Sequence, residues 1–179
     1  MPEQSTATVS SIDAETFADA IVVAAQIYGE AMQRPPELVV QRREIMTSHV
    51  HRSGFVASLA HDANGCIVGF GYGYHGRPGD WWHDVVARAV GRRDAREWLS
   101  DSFELAELHV RPSHHGRGIG RRVLDCVLGA AEGTTAVLST HDRDSPARRL
   151  YRSVGFVDLL TGFVFPGSTE VYVVMGKRL

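Results

Sequence analysis

Apolar residues along the chain recur at two spacings in turn, every second residue and every third or fourth. These are the periods of strands and helices. Residues 7–12 predict a short first strand. Phe17, Ala20, Ile21, Ala24, Ala25 and Tyr28 follow at helical spacing behind Asp13, a residue suited to capping a helix start. Pro35-Pro36 breaks that helix. A second helix is predicted over 37–51, with Leu38, Val39, Ile45 and Met46 as its apolar side. Residues 55–60 and 67–74 read as strands around Asp62-Ala63-Asn64-Gly65, where Asn-Gly signals a hairpin. Toward the end of the chain, 136–140 predicts a strand. Ser145 and Pro146 suit the start of a helix over 147–154. Residues 156–165 and 171–175 predict a closing hairpin around Pro166-Gly167-Ser168. Residues 1–5 are polar and expected to be loose.

The stretch 105–128 organises the rest. Phe103 and Leu105 share one parity, whereas Ala106, Leu108 and Val110 share the other. The change of phase predicts an extra residue, a β-bulge, of the kind that bends strands beside active sites; a strand buried on both faces gives the same pattern. Pro112 ends the strand. Ile119, Val123, Leu124, Val127, Leu128 and Ala131 then make one helical stripe, and Gly133 supplies a stop. Between strand and helix lies His115-Gly116-Arg117-Gly118-Ile119-Gly120. Three glycines remove the Cβ atoms that keep a ligand from the backbone amides, and a helix N-terminus attracts an anion. Arg117, Arg121 and Arg122 add positive charge. A dinucleotide fold needs Gly-x-Gly-x-x-Gly, and a P-loop ends in Gly-Lys-Ser/Thr; neither is present.

The order Gly-x-Gly-x-Gly after a bulged strand resembles the acetyl-CoA loop of GCN5-related N-acetyltransferases (GNAT), Gln/Arg-x-x-Gly-x-Gly/Ala. Here His115 departs from the first position. Leu150-Tyr151-Arg152-Ser153-Val154-Gly155-Phe156 resembles the family's later Leu-Tyr-x-x-x-Gly-Phe motif. The resemblance spans roughly 7–179 and implies an α/β fold: a mixed, mostly antiparallel sheet with helices on both faces. The strand over 103–110 would splay from the one starting near Ala136. In that gap the pantetheine arm of acetyl-CoA would pair with the backbone of Leu108, His109 and Val110. The pyrophosphate would meet the amides of Gly116, Arg117, Gly118, Gly120 and Arg121, with His115 and Ile119 completing the loop.

The activity implied is acetyl-CoA-dependent N-acetyl transfer, by direct attack of a primary amine on the thioester in a ternary complex. A lysine-like amine titrates near 10.4, so a positioned base helps. Glu104, eleven residues before the loop's first position, stands where some members of the family keep a catalytic glutamate. Glu107 lies closer to the bulge and to the expected thioester. Both are candidates, Glu104 first. Tyr151 matches the family tyrosine that protonates the departing thiolate. Asp144 stands where the family often has Asn, and a carboxylate does not donate as an amide does. The alternative is a non-catalytic acyl-CoA-binding or sensing module of the same fold. A third reading is an acyltransferase for longer chains or macromolecules.

Residues 77–101 form an insert where the family has a short turn. Trp81, Trp82, Val85, Val86, Ala89 and Val90 have helical spacing between Asp80 and Gly91, and a second short helix follows through Trp98. All three tryptophans of the chain are here. They serve either a binding surface or the packing of the insert.

At 179 residues, one domain over 1–179 is expected, with this insert. The net charge of −2 argues against nucleic acid and anionic membranes as partners; the resemblance implies a small-molecule or peptide amine as acceptor. A homodimer through the tryptophan region or the last hairpin is a further expectation. Cys66 and Cys126 read as small core residues. No signal peptide or spanning segment is visible, so the expected compartment is the cytoplasm. The nine histidines include His109, His114 and His115, but nothing is spaced to complete a metal site, and none is expected. His75, His83 and His141 are candidates to border the acceptor pocket, and Tyr28, Glu30 and Glu37 to contact the amine.

Overall fold

The structure, a computed structural model, describes residues 7–179. The expected looseness of 1–5 lies outside the described residues. In chain order the elements are β1 (Thr8–Ile12), α1 (Ala14–Met32), α2 (Pro36–His49), β2 (Val56–His61), β3 (Ile67–His75), α3 (Trp81–Val90), α4 (Arg92–Leu99), β4 (Ser102–Val110), α5 (Ile119–Ala130), β5 (Thr135–His141), α6 (Pro146–Ser153), β6 (Val157–Phe163) and β7 (Tyr172–Arg178). The strands are ordered β1-β2-β3-β4-β5-β7-β6. The ladders β1–β2, β2–β3, β5–β7 and β6–β7 are antiparallel, and β4–β5 is parallel. This is the mixed, mostly antiparallel α/β sheet that the motifs imply. Among the described residues, no helix is long and apolar enough to cross a membrane.

The chain divides into two compact units. The first runs through Tyr74 and takes in Ala106–Ala131; the second holds His75–Leu105 and Glu132–Leu179. In the first unit, Asp13 caps α1 by accepting from the Thr16 amide at 2.8 Å. Phe17, Ile21 and Tyr28 of α1 pack with Ala57, Leu59, Phe70 and Tyr72 on one face of the sheet. On the other face, Ile119 and Val123 of α5 pack with Ala60, Val68 and Val110. Gly71 allows that close approach, since a Cβ there would lie 2.9 Å from Val123 Cγ1. Burial of such apolar side chains is the main favourable term in folding.

Two sequence expectations fail here. Of the apolar residues assigned to the inner side of α2, only Met46 is buried; Leu38 and Ile45 are exposed. The inner face carries Val39, part-buried against the α1 cluster, with Arg42, Met46 and His49 at helical spacing, and two of these four are polar. Cys66 is exposed rather than in the core, because it follows directly on the hairpin turn, and Cys126 is half-buried; both are free thiols.

In the second unit, the insert is two helices, α3 and α4, joined at Gly91 with φ 85°. Asp80 sits at the start of α3, but its carboxylate accepts from the Arg77 amide instead of capping the helix. Val86 and Leu99 pack with Val137, Val174 and Phe165. The Trp82 indole N–H donates to Ser139 Oγ at 3.1 Å. The ring of Trp98 lies under the Arg178 guanidinium, 4.8 Å from it. Trp81 remains 57% exposed, with its ring near Phe165. Two of the three tryptophans therefore seat the insert on the strands beneath it, and one is left at the surface.

Candidate active site

β4 is where the two expected halves of the site begin. Its ladder with β5 covers three pairs, Ser102–Thr135, Phe103–Ala136 and Glu104–Val137. β4 itself continues to Val110, and β5 stays paired with β7 through His141. The phase slip near Ala106 has a structural counterpart. Ala106 packs against the α1–α2 cluster, and the next residue, Glu107, is held by Arg42 of α2. Two consecutive residues thus turn to one side, whereas Leu108 joins the α5 cluster. Over Ser102–Leu105 every residue is buried, so alternation carries no information there.

After a 3₁₀ turn at Pro112–His114 the chain enters the glycine loop. Gly116 and Gly118 have left-handed backbones, φ 73° and 71°, which strain any L side chain. Gly118 is the N-cap of α5, and no side chain caps the helix. A Cβ placed on either glycine would meet nothing within 4 Å, so the loop opens on free space. First-turn amides at the positive end of a helix, uncapped and open, suit an anion. This donor set fits the pyrophosphate of the implied coenzyme.

The neighbouring cations have partners of their own. Arg117 donates to the Ser113 carbonyl at 3.2 Å, Arg122 to the Ala7 carbonyl at 2.7 Å, and Arg121 Nε to the Asp125 carboxylate at 2.8 Å. Backbone amides are therefore the prepared donors. His115, which replaces the family's Gln or Arg, donates from Nε2 to the Val110 carbonyl at 2.7 Å. It closes the loop onto the end of β4. The Ile119 side chain is buried in the α5 cluster, which leaves only its backbone to serve the loop.

A polar network lies on the α1–α2 side of β4. Glu107 Oε1 accepts from Arg42 Nη1 at 2.8 Å, and its Oε2 from His109 Nε2 at 2.7 Å. Glu107 is 6% exposed and His109 14%. Burial pushes the Glu107 carboxyl up, but the His109 hydrogen bond and the charges of Arg42, His109 and His49 more than offset it, and the group lies below the usual carboxylate range. A carboxylate accepts only, so the proton between them sits on His109 Nε2. The imidazole stands edge-on to Tyr28 at 5.4 Å and beside Phe70 at 5.6 Å. The Arg42 guanidinium covers the Tyr28 ring at 4.8 Å. His49 Nδ1 and the Tyr72 hydroxyl are 3.0 Å apart.

Sequence reasoning identified Glu107 and the backbone of His109 but missed Arg42 and His49. Those two positions break the apolar pattern of a helix, and nothing local marks them as facing inward. Glu30, a candidate amine contact, is ion-paired with Arg111. Glu37 is exposed.

Glu104 and Tyr151 belong to the second unit. Glu104 is buried at the last rung of the β4–β5 ladder. Ser145 caps α6 through the Arg148 amide, and Tyr151 on that helix is buried edge-on to Phe156 at 5.8 Å. Asp144 is exposed and paired with Arg149. Of the other histidines, His83 is buried and bonded to the Leu99 carbonyl. His141 stacks on Tyr172, 3.3 Å from Glu170, and His75 faces Asp101 at 3.8 Å. Among the described residues, no three His, Cys, Asp or Glu side chains gather as metal ligands.

Comparison with known proteins gives a consistent family. A model of the acetyltransferase (GNAT) domain matches residues 51–158. The GCN5-like protein acetyltransferase Rv2170 of Mycobacterium tuberculosis is 29% identical over 86% of this chain and 88% of its own. The N-alpha-acetyltransferase RimI of the same organism is 43% identical over 30% of this chain and 34% of its own. Among solved structures, yncA of Salmonella typhimurium, determined with its cofactor acetyl-CoA, superposes with a TM-score of 0.66 at 17% identity, covering 96% of this chain and 93% of that one. The spermidine/spermine N-acetyltransferase SpeG of Vibrio cholerae gives 0.55 at 18% identity, covering 97% and 95%. At these identities the likeness to both structures is one of fold.

Proposed function

The chain belongs to the GNAT acetyltransferase family, and we propose that it moves an acetyl group from acetyl-CoA to a primary amine by direct attack within a ternary complex. The observation that carries this reading is the uncapped start of α5 behind two left-handed glycines, Gly116 and Gly118. These amides would hold the pyrophosphate. The backbone of Leu108, His109 and Val110 would align the pantetheine arm along β4. Bound acetyl-CoA supplies an activated acyl thioester. Tyr151 would return a proton to the departing sulfur. Glu104, a buried carboxyl on β4, is one acceptor for the proton of the incoming ammonium.

The acceptor class is a protein or peptide amine first, a polyamine or other small amine second. The relative that matches most of the chain is named a protein acetyltransferase, which supports that order. The fold neighbour that is a spermidine/spermine acetyltransferase keeps the second class open. Two free thiols fit a reducing cytoplasm.

The test is a thiol-release assay with acetyl-CoA and three acceptors: a peptide with a free α-amine and one lysine, spermidine, and a small aromatic amine. Release with at least one, strongest with the peptide, is expected. Calorimetric binding of acetyl-CoA without release for any of the three would overturn the transfer reading in favour of a binding module.

A further inference from the structure

We propose that His109, oriented by Glu107, is the group that takes the proton from the acceptor amine. The inference rests on the acetyl-transfer reading above. Its basis is the hydrogen-bond pattern of the first unit. Both oxygens of Glu107 already have donors, one from Arg42 and one from His109. An acid so satisfied and so buried is poorly placed to collect a further proton. The same hydrogen bond leaves the other ring nitrogen, Nδ1, with its lone pair, because Nε2 carries the hydrogen. A carboxylate behind an imidazole fixes the tautomer and stabilises the imidazolium that forms. Imidazole is also the side chain whose ordinary pKa, ~6.5, lies closest to neutral working conditions.

The surroundings agree with such a role. His109 packs against Tyr28 from α1 and Phe70 from β3, and shares Glu107 with Arg42 of α2. Tyr72 of β3 bonds His49 behind them. The titratable or charged groups facing the imidazole, directly or through Glu107, are thus Glu107, Tyr28, Arg42, His49 and Tyr72. Arg42 and His109 both address one carboxylate, one on each oxygen. An apolar side chain at 109 would pack against Tyr28 and Phe70 equally well, and a buried ion pair is weak evidence of a stabilising purpose. Buried carboxyls with perturbed pKa values, as at Glu107, cluster at functional sites. His109 also lies on the stretch of β4 expected to hold the pantetheine arm.

The step balances as follows. An N–H bond of the acceptor ammonium breaks, and its proton goes to His109 Nδ1. The freed lone pair forms the N–C bond at the thioester carbonyl carbon. The C–S bond breaks, its electron pair stays on sulfur, and the sulfur takes the second ammonium proton by way of the Tyr151 hydroxyl. His109 then gives its proton to water.

The experiment uses the full chain, wild type and His109→Gln, with acetyl-CoA and whichever of the three acceptors above is turned over fastest. His109→Gln keeps a donor for Glu107 but has no base. Its kcat/KM is expected to fall about 10²–10⁴-fold. The fall should lie in kcat, with calorimetric acetyl-CoA affinity kept and the acid limb of the pH profile lost. Added imidazole should restore part of the rate of His109→Ala. A His109→Gln enzyme that retains the acid limb, or loses only KM, would overturn the assignment. A measurement on the unmutated enzyme covers variants that do not fold. Imidazole ionisation is strongly endothermic and carboxyl ionisation is nearly athermal, so the wild-type acid limb should move to lower pH on warming. A limb that stays fixed would assign the step to a carboxyl such as Glu104. Absence of turnover by the wild type would remove the transfer reading itself, and this proposal with it.

Discussion

Glu107 draws the first unit's chemistry together, and His109 and then Arg42 keep it ionised against its burial. Removing the guanidinium in Arg42→Ala leaves a buried carboxylate with one donor in place of two. Burial is the largest influence on that group and pushes its pKa up. Less opposed, it would raise the carboxyl toward or above its ordinary range. Arg42 is 33% exposed, so the cost is smaller than for a wholly buried pair, about 2–3 kcal/mol. Urea unfolding should register that loss, and adding Glu107→Gln should recover part of it; a loss under about 0.5 kcal/mol would mean the pair is not coupled. Tyr151 yields a kinetic prediction. If its hydroxyl protonates the departing sulfur, Tyr151→Phe should lower kcat about 10²-fold or more while acetyl-CoA affinity is unchanged in calorimetry. Unchanged turnover would remove the assignment.

Helix α4 of the insert depends on a glycine elsewhere in the chain. A Cβ at Gly176 on β7 would fall 2.7 Å from Trp98 Cε3 and 2.8 Å from Leu159 Cδ1. The Trp98 ring has little freedom to give way, because Arg178 covers it and Glu97 holds Arg178 at 2.6 Å. Gly176→Ala should therefore destabilise the protein by about 1–3 kcal/mol, as overpacking does. Tryptophan emission should shift with it; an unaltered melting midpoint would show that α4 is not seated on β7. Such dependence is invisible to a reading of the sequence, which saw the helices of the insert but not what lies beneath them. Elements with a strong local signature were legible: the Asp13 cap of α1, the Asn64-Gly65 hairpin, the Gly91 joint, the Ser145-Pro146 start of α6 and the glycine loop before α5. Each is written within a few residues, and local backbone preference decides it. α2 was legible as a helix but not in its orientation. Its inner face is chosen by Glu107, 65 residues from Arg42, and exposed Leu38 and Ile45 imitate a buried stripe. The donor half of the site was readable because it is backbone geometry encoded by glycines. The Arg42–Glu107–His109 network was not, because only the tertiary fold assembles it.

Acid should weaken both compact units, because each contains carboxyls held below their ordinary range. In the first unit, hydrogen bonds from Thr16 lower Asp13; in Glu107, partners outweigh the effect of burial. In the second, the Gly79 amide and then His83 lower Asp84. Burial raises Asp158, but hydrogen bonds from Arg148 and Arg152 more than offset it. A group whose pKa is lower in the folded state contributes stability fully above its unfolded value, about 4 for these carboxyls. That contribution is lost as pH falls through the folded value, when folding would have to retain a charge the unfolded chain has already neutralised. From pH 7 to about 5 these four groups should leave stability unchanged, and below about 4 all four should reduce it. The two units can be followed separately, since Trp81, Trp82 and Trp98 all lie in the second. Tryptophan emission then reports that unit alone, whereas far-ultraviolet circular dichroism reports both. In urea titrations at pH 7, 5, 4 and 3, both midpoints should hold between 7 and 5 with respect to these carboxyls and drop below 4. If the tryptophan midpoint survived to pH 3 while the dichroism midpoint fell, the Asp158–Arg148–Arg152 cluster would not be stabilising the second unit, and the acid sensitivity would belong to Glu107 and the first unit.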